Sequence, residues 1–104
     1  EERDVGSALV GWTGKAPKVQ LIEWCAKNKL PKPRFQAVSS HPPASSVFIG
    51  KEQYKDPSGL TCKKLLESEQ LVSTYALFKL AQGRQLHRML PPLFRDLWLG
   101  WERE

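Results

Sequence analysis

Eight prolines divide this 104-residue chain, and their positions decide which stretches can be regular. Proline has no N–H and its ring clashes with a preceding helical turn. It is tolerated at a helix start, a strand edge or a turn, but not inside a helix or a central strand. Pro17 comes after Gly14-Lys15-Ala16 and is placed to open a helix, where its missing N–H would have been unpaired anyway. Leu30-Pro31-Lys32-Pro33 closes that helix. Pro42-Pro43 and Asp56-Pro57 mark turns, and Pro91-Pro92 restarts the chain before an apolar end.

Between these breaks the apolar spacing predicts the elements. From Pro17 to about Asn28, Val19, Ile22 and Ala26 fall on one helical stripe that Leu21 and Cys25 widen, leaving Lys18, Gln20, Glu23 and Lys27 for water. Arg34–Val38 alternates as a half-buried strand does, with Phe35 and Ala37 inward. Residues Ser39–Ser45 read as a loop and Ser46–Ile49 as a second strand. After the turn at Asp56-Pro57-Ser58-Gly59, Leu60–Leu66 is expected to be the third strand, holding Lys63 and Lys64. Ser68 can cap a helix that runs to about Gln82 and stops at Gly83. Along it Leu71, Val72, Tyr75, Ala76, Leu77 and Leu80 are apolar.

The order α-β-β-β-α implies an α+β fold: a three-stranded antiparallel sheet with both helices on one face. Residues 1–14 read as a flexible tether, 15–83 as the domain and 84–104 as a helical extension. In that extension Leu93, Leu97 and Trp101 recur every four residues beside Phe94 and Trp98. So apolar a helix must pack on the domain or await a partner, and packing is the preferred reading.

Charge is concentrated. The net charge is +5, but residues 15–64 alone carry ten Lys/Arg against three acids, while residues 65–104 balance to zero. A local positive excess is how a phosphate-binding footprint looks, although acidic proteins and anionic lipid attract the same charge. No stretch is apolar enough for a membrane span and no signal peptide shows; a chain that begins at Glu1 reads as a piece of a longer one. Cys25 and Cys62 are too far apart in sequence to establish a disulfide, and packed thiols in a reducing compartment are the simpler expectation. There is no GxxxxGK[ST] phosphate loop, and His41 and His87 have no Cys or Asp at ligand spacing. No catalytic, metal or cofactor site is expected in this chain.

Several local patterns, in order, resemble the double-stranded-RNA-binding domain. Pro17 precedes Glu23 by six residues; Lys32-Pro33-Arg34-Phe35 is similar to that family's Lys-Pro-x-aromatic; Ala76-Leu77 with Leu80 is similar to its Ala-Leu-x-x-Leu ending. The resemblance implies RNA contacts from the first helix, the first strand–strand loop and the start of the last helix. Two of those regions depart from the family. Its leading lysines of the last helix fall on Leu65 and Leu66 and its final one on Glu69, and its minor-groove His falls on Ala44 rather than His41. The segment Gln85–Trp98 resembles the stretch C-terminal to a degenerate domain of this type in large DEAH/RHA-family RNA helicases, of the kind that assists translation initiation on the small ribosomal subunit. That resemblance implies a cytoplasmic parent helicase that hydrolyses ATP elsewhere in its chain, with structured or ribosomal RNA and small-subunit proteins as partners.

The candidate RNA-contacting residues are Lys18, Gln20, Glu23, Lys27, Lys32, Arg34, His41, Lys63 and Lys64. A-form RNA shows a shallow minor groove lined with 2′-hydroxyls, and a helix with lysines, an amide and a carboxylate can both donate to and accept from it. Against each stands a plainer reading as a solvated charged face. Lys63 and Lys64 would alternate faces in a strand, so only one could serve a given surface. Lys29, with Lys32 and Arg34, could extend the basic surface at the helix exit. Trp24 is either a stacking platform for an unpaired base or the seat of the C-terminal helix. The functional alternatives are an RNA-binding accessory domain and a protein-interaction or ribosome-docking module that kept the fold and lost its own RNA binding.

Overall fold

The computed structural model describes residue 5 and residues 7–103. The elements are α1 (Pro17–Lys27), β1 (Arg34–Ser40), β2 (Pro43–Ile49), β3 (Glu52–Lys55), α2 (Leu65–Leu80) and α3 (Pro92–Glu102), with short 3-10 turns at Ser7–Leu9 and Leu86–Met89. The strands form one antiparallel sheet in the order β1-β2-β3. The α+β fold with an added C-terminal helix is therefore as the sequence predicts.

Helix α1 begins at Pro17 and buries Pro17, Gln20, Leu21 and Cys25. Its inner stripe is centred on Leu21 and Cys25, not on Val19, Ile22 and Ala26; Val19 is 43% exposed. The helix is rotated because Gln20 is drawn inward by hydrogen bonds that composition does not reveal. At the exit, Leu30 N–H donates to Cys25 O and Lys29 N–H to Ala26 O, with Lys29 at φ +59. That left-handed position usually goes to Gly, and a side chain there costs about 1–2 kcal/mol.

The first hairpin is longer than the expected loop over Ser39–Ser45 allows. Ser39 and Ser40 belong to β1 and Pro43–Ser45 to β2, leaving only His41-Pro42 between them, joined by a cis peptide bond. A serine-rich stretch can be a strand here because β1 is an edge strand, and Pro43 opens β2 where its lack of an N–H is tolerated. Ala37 pairs with Ser45 but Ser39 pairs with Ala44, so Val38 is the extra residue of a bulge. Phe35 packs against the core, whereas Ala37 is exposed, because the helices lie over β2 and scarcely reach β1.

The third strand is not Leu60–Leu66. It is Glu52–Lys55, entered through Gly50 at φ +65 in a two-residue turn, while residues 60–64 are irregular and Leu65 starts α2. A strand with Tyr54 as its one apolar residue carries little period-2 signal, and Leu65-Leu66 mimics a strand end. The turn at Asp56–Gly59 stands as expected, Asp56 accepting from Ser58 N–H at 2.9 Å. Ser68 lies inside α2, not at its cap.

One core joins Val47 and Ile49 of β2 to Leu21, Cys25, Leu71, Val72, Ala76 and Leu77. It continues beneath α3, where Leu90, Phe94 and Trp98 are buried. Phe78 meets Trp98 edge-on at 5.3 Å and Tyr75 meets Trp101 at 5.1 Å. The C-terminal helix is thus packed on α2. The tether reading is revised for part of residues 1–14: Val5 is in the core and Ser7–Leu9 packs against α3. Residues 1–4 and 6 lie outside the described residues.

Candidate nucleic-acid interface

Three connections fix the geometry of one end of the molecule. The N–H of Lys18 donates to Gln70 Oε1 at 2.9 Å, and Lys18 Nζ meets Glu69 Oε1 at 2.7 Å. The first turn of α1 therefore lies beside the second turn of α2. Ser45 Oγ and Ser68 Oγ are 2.8 Å apart, which brings the start of β2 to the same place. The α1 start, the His41-Pro42 turn and the Lys63-Lys64 entry to α2 thus share one end of the fold.

Within that end the candidate residues are not equally available. Lys18 also lies over the Phe35 ring at 4.9 Å; its side chain is 30% exposed and that of Glu69 16%. Gln20 is 8% exposed and its amide donates to Lys15 O at 2.8 Å and Met89 O at 2.7 Å, so it is a structural tie between α1 and the segment before α3. Glu23 is exposed and pairs with Lys15. His41 is exposed in its turn with Nδ1 3.1 Å from Ser40 Oγ. Lys63 and Lys64 are exposed, and Lys63 N–H donates to Glu67 Oε1 at 3.0 Å. Because they lie before a helix and not in a strand, alternation no longer forces them apart.

Lys32 and Arg34 lie by the exit of α1, and Arg34 is separated from the His41-Pro42 turn by the length of β1, roughly 20 Å by the rise of a seven-residue strand. The Lys18 side chain spans part of that distance, since its ammonium reaches the ring of Phe35 next to Arg34. Lys27 sits on the last turn of α1, on a groove of about 220 Å³ that also touches Glu23, Trp24, Leu77, Arg84 and Met89. The guanidinium of Arg84 lies over the Trp24 ring at 5.2 Å, so one ring face is already occupied.

Sequence reasoning missed Gln70 and Arg84. The mismatch at Glu69 was its one clue to the α1–α2 ion pair. Leu65 and Leu66, on the family's lysine positions, are 40% and 56% exposed. Both cysteines are free and buried; burial pushes both thiols up, Cys62 to about 11, so neither is a ready nucleophile at neutral pH. Among the described residues no group of three metal-type side chains gathers, and no helix is long and apolar enough to cross a membrane.

Residues 15–104 match the family model described as "ATP-dependent RNA helicase DHX29, DSRM-like". The chain belongs to this DSRM-like family. The DSRM-like chain is 36% identical over 102 residues to ATP-dependent RNA helicase DHX29 of Mus musculus, covering 89% of itself, and 35% identical over 100 residues to that of Homo sapiens, covering 86%. It spans only 7% of the length of either helicase. It is also similar to the double-stranded-RNA-binding domain of a tRNA-dihydrouridine(20) synthase, with a TM-score of 0.57 at 28% identity over 69% of this chain and 76% of that one. That likeness places it among folds generally associated with RNA binding.

Proposed function

We propose that this DSRM-like domain is a non-catalytic RNA-binding part of a cytoplasmic ATP-dependent RNA helicase. It contacts structured RNA, in particular ribosomal RNA of the small subunit during translation initiation, through phosphate and 2′-OH groups with little sequence readout. The observation that carries this reading is the convergence of the α1 start, the His41-Pro42 turn and the Lys63-Lys64 entry at one end of the fold. Lys63 and Lys64 supply phosphate contacts and His41 reaches toward the groove. Glu23 suits a 2′-OH, which can donate to it, better than a phosphate. Hydrolysis of ATP would lie elsewhere in the parent protein.

One observation favours the second reading, a ribosome-docking module built on protein contacts. Leu65 and Leu66 put exposed apolar surface where the family has lysines, and Glu69 neutralises Lys18 at the same end. Binding of the chain to an RNA duplex, a matched DNA duplex and single-stranded RNA across a salt series separates the two. Preference for the RNA duplex, lost in Lys63→Glu/Lys64→Glu, supports groove recognition. Equal weak binding to all three, or none at physiological salt, refutes it and favours protein docking.

A further inference from the structure

The end of the sheet opposite the His41-Pro42 turn carries a second set of cations. Lys29 is at the exit of α1, Lys32 in the link between α1 and β1, Arg34 at the first residue of β1 and Lys51 in the β2–β3 turn. The fold brings these together: Arg34 pairs with Phe48 one residue before Ile49, and Pro31 lies so near Gly50 that a Cβ there would be 3.3 Å from its ring. All four are exposed, and none is ion-paired with a carboxylate among the described residues. The nearest acid in the turn is Glu52, so the end keeps a clear positive excess. By contrast, at the first end Lys15 and Lys18 are each tied to a glutamate.

Lys29 adds an independent observation. Its backbone is left-handed, a conformation for which Gly is favoured, yet the position carries a long cationic side chain. An exposed charge held against local backbone preference points to a use for the charge. We infer that Lys29, Lys32, Arg34 and Lys51 form a second RNA-binding surface that takes the sugar–phosphate backbone of another RNA segment, so that the domain bridges two segments. Phosphate is favoured over an acidic protein because the cluster is made of exposed cations spread around a turn, with no exposed large apolar anchor among them. The inference rests on the proposed RNA-binding reading, to which it adds a second site.

The test immobilises a short RNA duplex, adds the chain, and asks whether a labelled RNA of unrelated sequence is captured with it. The native chain is expected to capture the second RNA as a monomer by sedimentation. Lys32→Glu/Arg34→Glu should cut capture about tenfold while the chain still binds the immobilised duplex. Lys29→Gly suits the backbone, so it should raise the melting temperature while lowering capture, which separates lost charge from lost folding. Binding of the duplex without capture, or capture unchanged in these variants, would overturn the second site alone. Capture blocked by poly-glutamate but not by excess RNA would overturn it in favour of an acidic protein partner. Absence of any RNA binding would overturn the underlying reading as well.

Discussion

Replacing Glu69 by Gln removes the carboxylate that holds Lys18 while leaving an amide of the same shape. In the native fold the pair is 2.7 Å apart, with side chains 30% and 16% exposed. Fully exposed pairs contribute at most ~1 kcal/mol, and breaking fully buried ones costs about 3–5 kcal/mol. For this half-buried pair, whose hydrogen bond a Gln can keep, the loss should be about 1–2 kcal/mol. The same change releases one cation at the proposed RNA surface. Each phosphate neutralised adds about 0.9 to the slope of log affinity against log salt, which is roughly threefold to fourfold between 200 and 50 mM. Glu69→Gln should therefore be less stable in urea yet bind an RNA duplex of about 16 base pairs more tightly at low salt, with a steeper slope by about one. Fluorescence anisotropy across a salt series reads both quantities. Lys18→Gln should act in the opposite sense, weakening binding, because it leaves the Glu69 carboxylate uncompensated at the same surface. A folded Glu69→Gln with native affinity and slope would refute the idea that the ion pair withholds Lys18 from RNA.

Three further outcomes are expected. Trp98→Ala removes a fully buried ring that packs on Phe78 and donates to Glu102, and should cost about 3–5 kcal/mol in urea unfolding; a cost under 1 kcal/mol would mean that α3 is dispensable. Gln20→Ala takes the side-chain donor from Met89 O, while Lys15 O keeps the indole N–H of Trp12, and should cost about 1–3 kcal/mol while duplex affinity of the folded chain stays native, as read by melting and anisotropy. Burial holds the Cys62 thiol protonated to about 11, against 9.0 when unfolded. The folded state then binds the proton more tightly, so the contribution is intact below pH 9 and is lost as pH rises through 11, by about 2–3 kcal/mol; Cys62→Ala should flatten that part of the stability–pH curve relative to the native chain.

The elements that could be read from sequence are those whose breaks are covalent or whose apolar faces are wide. Pro17 and Pro31-Lys32-Pro33 bound α1, and the Phe94–Trp98–Trp101 face makes α3 unmistakable. What was not legible depends on tertiary partners. β3 is polar and short, and exists because β2 offers it an edge. The serine-rich hairpin is held by its ladder and by the Ser45–Ser68 contact. Gln20 counts as a water-facing residue until Met89, 69 positions later, accepts its amide hydrogen. The candidate site was divided for the same reason. His41, Lys63 and Lys64 share one end, but Lys32 and Arg34 emerge at the far end of β1 from His41, because the chain leaves α1 at the opposite end of the sheet from the first hairpin turn.

The central claim is that the α1 start, the His41-Pro42 turn and the Lys63-Lys64 entry together form an RNA-binding surface. Titrating the isotope-labelled chain with an RNA duplex and observing backbone amide resonances tests it directly. The signals of His41, Lys63, Lys64 and the first turn of α1 should shift and broaden, with smaller changes for the matched DNA duplex. A chain that binds the duplex to saturation while the amides of all three regions stay unmoved would contradict it.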